Sequence, residues 1–223
     1  MEEAVFALCC SIALTAGSAA ATWTVNAGNT LRVNGVAVEL GTLNGAGTVT
    51  NSHASTGATI SVGAGTFDGA IVDGTASMAL TKKSAGTLTL TGTGNTYTGA
   101  TTVNEGTLVV SGSINGSVTT VNGGGTLGGI GSVKSVILNA GGAIAPGSGS
   151  GTLNTANGTF TWNGEASSAF AQAKFELSNT ADLGLAATSD KIALGTGVLD
   201  QGTGCFYQFD FLNTGPRATP TRC

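Results

Sequence analysis

Apolar and polar residues alternate along short stretches of this chain. In Gly86-Thr87-Leu88-Thr89-Leu90-Thr91 the leucines fall on one face of an extended strand and the threonines on the other. Leu108 and Val110 repeat that phrase twenty residues after Leu88 and Leu90. A Gly-Thr-apolar tripeptide marks eight such places: Gly41-Thr42-Leu43, Gly47-Thr48-Val49, Gly65-Thr66-Phe67, Gly86-Thr87-Leu88, Gly106-Thr107-Leu108, Gly125-Thr126-Leu127, Gly151-Thr152-Leu153 and Gly158-Thr159-Phe160. Between glycines 65, 86, 106 and 125 the steps are 21, 20 and 19 residues. A period near ~20 residues is too long for a hairpin and too short for a domain; it predicts one coil of a β-solenoid. Stacked at the strand spacing of ~4.8 Å, the inward positions would form apolar ladders. Each buried Leu or Val there contributes about 1.5–3 kcal/mol. A second phrase, apolar-Asn-x-Gly, recurs at Val25-Asn26-Ala27-Gly28, Val103-Asn104-Glu105-Gly106, Val121-Asn122-Gly123-Gly124 and Leu138-Asn139-Ala140-Gly141. Asn and Gly tolerate positive φ, so these phrases predict corners between strands. Helical periodicity is absent after residue 21.

Three segments follow from composition. Residues 1–21 read as a signal peptide: Ala4 to Ala21 is uncharged and ends in Ser18-Ala19-Ala20-Ala21, with Thr22 as the first mature residue. Glu2 and Glu3 depart from the basic start such leaders carry. Residues 22–155 form the repeat region, and 156–223 a bulkier C-terminal unit, expected to be a β cap over the strand edges a solenoid exposes at its end. Six of the eight phenylalanines lie in that unit. Its last stretch, Gly215 to Cys223, lacks strand pattern and reads as a frayed tail or a truncated sequence. Cys205 and Cys223 would remain after leader removal, and a disulfide between them is one open possibility.

Charge narrows the function classes. Only 9% of residues are charged, Gly supplies 37 positions, and the net charge is −4. The eight Lys and Arg are dispersed, which argues against nucleic acid as a partner, since phosphate neutralisation needs clustered cations. The adjacent pair Lys82-Lys83 reads as a solvated rung edge.

From Leu80 to Gly112 the chain runs LTKKSAGTLTLTGTGNTYTGATTVNEGTLVVSG. This stretch resembles the autotransporter-associated β-strand repeat. The resemblance is carried by Lys82 or Lys83, Gly86-Thr87-Leu88, Leu90, Asn95-Thr96-Tyr97, Gly99, Thr101, Val103 and Gly106-Thr107-Leu108. Ser84 stands where the family often has Gly. Gly123 to Leu153 is also similar to passenger-domain sequence. The resemblance implies an all-β, right-handed parallel β-helix, secreted by or displayed on the surface of a Gram-negative-type bacterium. Self-exporting members end in a transmembrane β-barrel, which the segment after 155 is too short to complete. The alternating Phe206-Tyr207-Gln208-Phe209-Asp210-Phe211 fits either a terminal barrel strand or a capping strand.

Candidate chemistry is sparse. The single histidine, His53, lies in a turn-like stretch and is expected exposed, with no partner. Gly123-x-Gly125-x-x-Gly128 matches a dinucleotide-loop pattern, but no helical pattern follows it. Asp68 and Asp73, five residues apart, are the best candidates for the paired acids of a carbohydrate-active β-helix; Asp182, Asp190 and Asp200 are scattered. Solvated turn aspartates are the simpler reading of the pair. The expectation is therefore a non-enzymatic structural or adhesive module of the cell surface, outer membrane or medium, with no catalytic, cofactor-binding or metal residues. Its partners would be a host or extracellular-matrix protein or glycan, and an outer-membrane β-barrel translocator. A carbohydrate-active enzyme and a passenger fragment without its own ligand are the rival readings.

Overall fold

A computed structural model describes residues 12–14, 18–147, 151–164, 171–177, 191–202 and 207–213. Among these every regular element is a β-strand, and the strands stack in parallel as a solenoid of about 7 coils. Each coil has three faces. The first carries Ile12–Leu14, Thr30–Val33, Thr48–Asn51, Ala70–Val72, Thr152–Asn154 and Lys191–Ala193. The second carries Met78–Lys82, Thr101–Val103, Phe160–Trp162 and Leu199–Gln201. The third carries Thr87–Leu90, Gly106–Val110, Gly125–Gly129, Ala143–Pro146, Ala171–Leu177 and Tyr207–Asn213. Five longer strands turn a corner without a break, and Ser18–Thr24, paired with Ala37–Asn44 along both parts, passes from the second face to the third. Ala37–Asn44 and Ala58–Phe67 pass from the second face to the third, while Ser113–Val121 and Ser132–Leu138 pass from the first to the second.

The alternation read from the sequence decides what points inward. All eight apolar residues of the Gly-Thr-apolar tripeptides are buried. On the second face one column runs Val38, Ile60, Leu80, Thr101, Thr119, Val136, Phe160 and Leu199, and its neighbour runs Leu40, Val62, Lys82, Val103, Val121, Leu138 and Trp162. On the third face Leu88, Leu108, Leu127 and Ile144 form another. Phe160 and Trp162 meet edge to face, with ring centroids 6.2 Å apart.

The tripeptide proves to be a local rule and not a coil address. Gly106 pairs with Gly125, and Thr107 with Thr87, so the steps of 20 and 19 are real layers. Gly65, however, pairs with Leu88, and Phe67 with Leu90. The 21-residue step from Gly65 to Gly86 therefore lies two residues out of phase with the stack. Gly47-Thr48-Val49 and Gly151-Thr152-Leu153 sit on the first face altogether.

The Asn-x-Gly corners are as expected. Gly28, Gly106, Gly124 and Gly141 have φ of +81°, +67°, +89° and +73°, values an L side chain adopts only at a cost. Three of the four phrases then stack. The Asn122 amide donates to Asn104 Oδ1, Asn139 to Asn122 Oδ1, and Asn163 to Asn139 Oδ1, each at 2.8 Å. This ladder climbs the corner between second and third faces, whereas Asn26 follows Thr24 at a different corner.

At both termini the strands continue the stack. Ile12–Leu14 pairs with Thr30–Val33, and Ser18–Thr24 with Ala37–Asn44, so the described coils begin inside the segment expected as a leader. Beyond residue 155, Phe160–Trp162, Ala171–Leu177, Lys191–Ala193, Leu199–Gln201 and Tyr207–Asn213 keep the parallel register. Phe209 pairs with Ala173 and Phe211 with Phe175 in parallel sense, whereas barrel strands pair antiparallel. Among the described residues no strand lies across the final edge as a cap. Cys205, Cys223, Asp182, Asp190 and the tail from Gly215 lie outside the described residues. No helix among the described residues is long and apolar enough to cross a membrane.

Candidate functional site

Among the described residues, five of the buried polar side chains, Lys82, Asn95, Thr101, Ser117 and Thr119, lie between residues 82 and 119, and all but Thr119 are hydrogen-bonded to a neighbouring coil. Lys82 occupies an inward column position between Val62 and Val103. Its side chain is 0% exposed, which corrects the expectation of a solvated rung edge. The alternation Met78-x-Leu80-x-Lys82 already turned it inward. Its ammonium donates to the carbonyl oxygens of Lys83 (2.7 Å), Ser84 (2.7 Å) and Glu105 (3.0 Å). The first two belong to its own corner and the third to the next coil. Burial pushes Lys82 below the ordinary lysine value, and the nearby Glu105 carboxylate opposes that shift. Lys83 points outward and pairs with Glu39 at 2.7 Å.

Ser84, where the repeat family often has Gly, has φ of +65°. The preference for Gly is thereby explained: the corner that presents this carbonyl to Lys82 needs a left-handed residue.

Asn95 repairs the first face where strand structure lapses between Gly92 and Ala100. Its Oδ1 accepts the Ile71 N–H (2.9 Å) from the coil before. Its Nδ2 donates to Gly92 O (2.7 Å) and to Ser113 O (3.1 Å) in the coil after. One side-chain amide thus stands in for a missing rung of backbone. Asn51 does similar work earlier, accepting from Gly35 N and His53 N and donating to Thr56 O and Ser77 O. His53, expected without a partner, is half-buried, and its Nδ1 accepts the Ser55 and Thr56 N–H groups at 3.2 and 2.9 Å. It is a turn former.

Inside the coil Tyr97, Thr101 and Ser117 make a buried hydroxyl relay. Ser117 Oγ donates to Gly99 O (2.7 Å), so its oxygen accepts from Thr101 (2.8 Å), which leaves Thr101 to accept from Tyr97 (2.6 Å). Burial pushes the Tyr97 phenol up to about 12, against smaller opposing contributions from Thr101 and Ser117. Beside them Thr119 Oγ1 is buried with no hydrogen-bond partner among the described residues. No pattern in the residues marked this relay, because threonine and serine on a strand look like outward residues.

The two carboxylates singled out from the sequence are not brought together. Asp68 accepts from Thr91 Oγ1 of the next coil. Asp73, at the other end of Ala70–Val72, accepts from Met78 N (2.6 Å), Thr98 N (3.1 Å) and Thr98 Oγ1 (2.6 Å). The bend at Gly69 and the strand Ala70–Val72 separate them, and each is bound to a different threonine of the next coil. Asp200 faces outward near Thr161 Oγ1 at 3.4 Å. Gly125–Gly129 is a strand, so the dinucleotide-like glycines belong to the stack. Among the described residues no three His, Cys, Asp or Glu cluster as metal ligands.

Residues 80–110 match the family model of the passenger-associated-transport-repeat. Over that stretch the chain is similar to an autotransporter passenger repeat, and the parallel solenoid fits such a repeat. Within the matched passenger repeat, Lys82, Leu88, Leu90, Asn95, Tyr97, Thr101, Val103 and Leu108 are all buried, and Gly106 turns a corner at positive φ. Gly99 fits because a Cβ there would come within 2.3 Å of Met78 O. The motif is thus a recipe for joining one coil to its neighbours. No curated protein and no solved structure matches the chain.

Proposed function

We propose that this passenger-like protein is a secreted or cell-surface stalk that acts by structure and adhesion. The observation that supports this reading is how the repeat divides its residues. Its inward and corner positions build the solenoid, and what remains is an elongated exterior poor in charge. On the second face the outward column reads Ser61, Thr81, Thr102, Thr120, Ile137 and Thr161. Hydroxyls and methyls at ~4.8 Å spacing suit many weak contacts along an extended partner, the mode repeat proteins use. The partner class is a host or matrix protein or a glycan, and an outer-membrane β-barrel would deliver the chain. Beads coated with the full chain should be retained on an immobilised panel of matrix proteins and glycans. Thr102→Lys with Thr161→Lys should release them without lowering the melting temperature. Retention by neither chain, or equal retention by both, would count against adhesion through this face.

A further inference from the structure

Asparagine is followed directly by glycine at six places, residues 34–35, 44–45, 115–116, 122–123, 157–158 and 163–164. Such a pair is chemically weak, because glycine has no Cβ to keep its backbone nitrogen away from the asparagine side-chain carbonyl. Five of the six are held. The Gly35 N–H donates to Asn51 Oδ1 at 3.0 Å. Asn44 Oδ1 accepts the Thr66 N–H at 3.0 Å. Asn122 is bonded through both ends of its amide in the asparagine ladder, and Asn163 donates into the same ladder. Asn157 Oδ1 accepts the Thr196 N–H at 2.9 Å, while the Gly158 N–H donates to Thr155 O at 2.7 Å. Asn115 differs: it is exposed, and its side chain has no hydrogen-bond partner among the described residues. It also stands where Ser113–Val121 breaks register. Ile114 pairs with Val133 and Val118 with Ser135, so Asn115, Gly116 and Ser117 face Lys134 alone. A bulge of this kind leaves its extra residues outside the regular ladder.

We infer that Asn115-Gly116 is a self-modification site, at which the folded chain converts Asn115 to aspartate and isoaspartate. The Gly116 backbone nitrogen attacks Asn115 Cγ and forms a new N–Cγ bond, closing a succinimide ring. Solvent base takes the Gly116 amide proton, and the Cγ–Nδ2 bond breaks to release ammonia. Water then opens the ring at either carbonyl, giving aspartate or isoaspartate; no other reactant enters. One neutral amide becomes one carboxylate, so the net charge passes from −4 to −5. The new charge lies in the bulge that faces Lys134. The isoaspartate product also lengthens the backbone by one carbon just before Gly116, which is packed so closely on the coil before that a Cβ there would lie 2.5 Å from Tyr97 O. Ser117, the next residue, bonds Gly99 O and Thr101 Oγ1. The reaction therefore loosens the junction on which the buried hydroxyl relay is built, and it does so with the age of the molecule.

The test is to incubate the full folded chain for weeks in mildly alkaline buffer, with samples taken for isoelectric focusing and for peptide mapping by electron-transfer fragmentation, which tells aspartate from isoaspartate. Asn115 should convert at least tenfold faster than any of the other five asparagines, with a focusing shift of one negative charge. In guanidinium the unfolded chain should convert all six within a few-fold of one another, so that the fold and not the dipeptide sets the order. Asn115→Gln should abolish the early shift, and aged wild type should melt below aged Asn115→Gln. An Asn115 that stays intact, another pair that converts as fast, the same order in the unfolded chain, or equal melting of the two aged chains would each overturn the proposal.

Discussion

Replacing Lys82 by Met separates two neighbouring lysines that look alike in the sequence. The substitution keeps the length and the apolar stem but removes three donors. The carbonyls of Lys83, Ser84 and Glu105, now held at 2.7, 2.7 and 3.0 Å, would lose their shared partner. A hydrogen bond from a charged donor is worth about 1.5–3 kcal/mol, and a buried acceptor left unsatisfied costs about 1–3 kcal/mol. Against this stands relief of the ammonium's own desolvation, whose cost is visible in its lowered pKa and amounts to several kcal/mol for a buried ion. The net expectation is a loss of about 2–4 kcal/mol. Lys83→Met removes only an outward pair with Glu39, for which about 0–1 kcal/mol is expected. Urea unfolding followed by circular dichroism, with the Trp23 and Trp162 fluorescence as a second probe, measures both. Equal midpoints for the two variants, or a Lys82→Met chain as stable as wild type, would refute the carbonyl staple.

Other consequences follow from the same coil. Ser84→Gly should raise stability by about 1 kcal/mol, since a non-glycine residue at φ of +65° bears a left-handed penalty of about that size; an unchanged urea midpoint would argue against it. Thr119→Val replaces a buried, unpartnered hydroxyl by a methyl of the same shape, and about 1 kcal/mol or more should be gained. A lower midpoint there would mean that Thr119 Oγ1 does have a partner. Tyr97 titrates near 12 when folded, against 10.0 otherwise. Its folded value is the higher one, so its contribution is complete below pH 10 and is lost as pH climbs through about 12, about 2–3 kcal/mol in all. Tyr97→Phe should flatten that alkaline limb; a limb unchanged by the substitution would contradict the assignment. Lys82 has the opposite sign, its lowered value making stability rise with pH up to 10.5, so Lys82→Met should steepen the net alkaline loss.

The fold was legible because alternation and period are written directly in residue types. Leu88 and Leu90 stacked on Leu108 and Val110 in the expected register, and every Asn-x-Gly phrase marked a real corner. What failed to show was phase. A tripeptide that ends one strand on the first face and another on the third cannot be aligned by counting glycines, and Gly65 fell two residues out. The junctions were partly hidden for a different reason. Lys82, Asn95, Thr101 and Ser117 are polar residues placed where alternation calls for apolar ones, and polarity usually signals the surface. Each also has a partner 16 to 24 residues away, Glu105 for Lys82, Ile71 and Ser113 for Asn95, Ser117 for Thr101 and Gly99 for Ser117, which no local pattern displays. Asp68 and Asp73 had the converse fate: close in sequence, they are separated by a strand and bound to threonines of the next coil. Function is the least legible level, because the recognisable residues are consumed in joining coils.

Two spin labels on the outward second-face column test the stacking most directly. Ser61 and Thr161 are 100 residues apart in sequence, yet five parallel layers connect them through Thr81, Thr102, Thr120 and Ile137. With the native cysteines changed to serine, pulsed dipolar spectroscopy between labels at Ser61→Cys and Thr161→Cys should give one narrow distribution near ~24 Å, five steps of ~4.8 Å. A broad distribution, or one centred well beyond that distance, would contradict the solenoid and the coil-joining role assigned to its repeat.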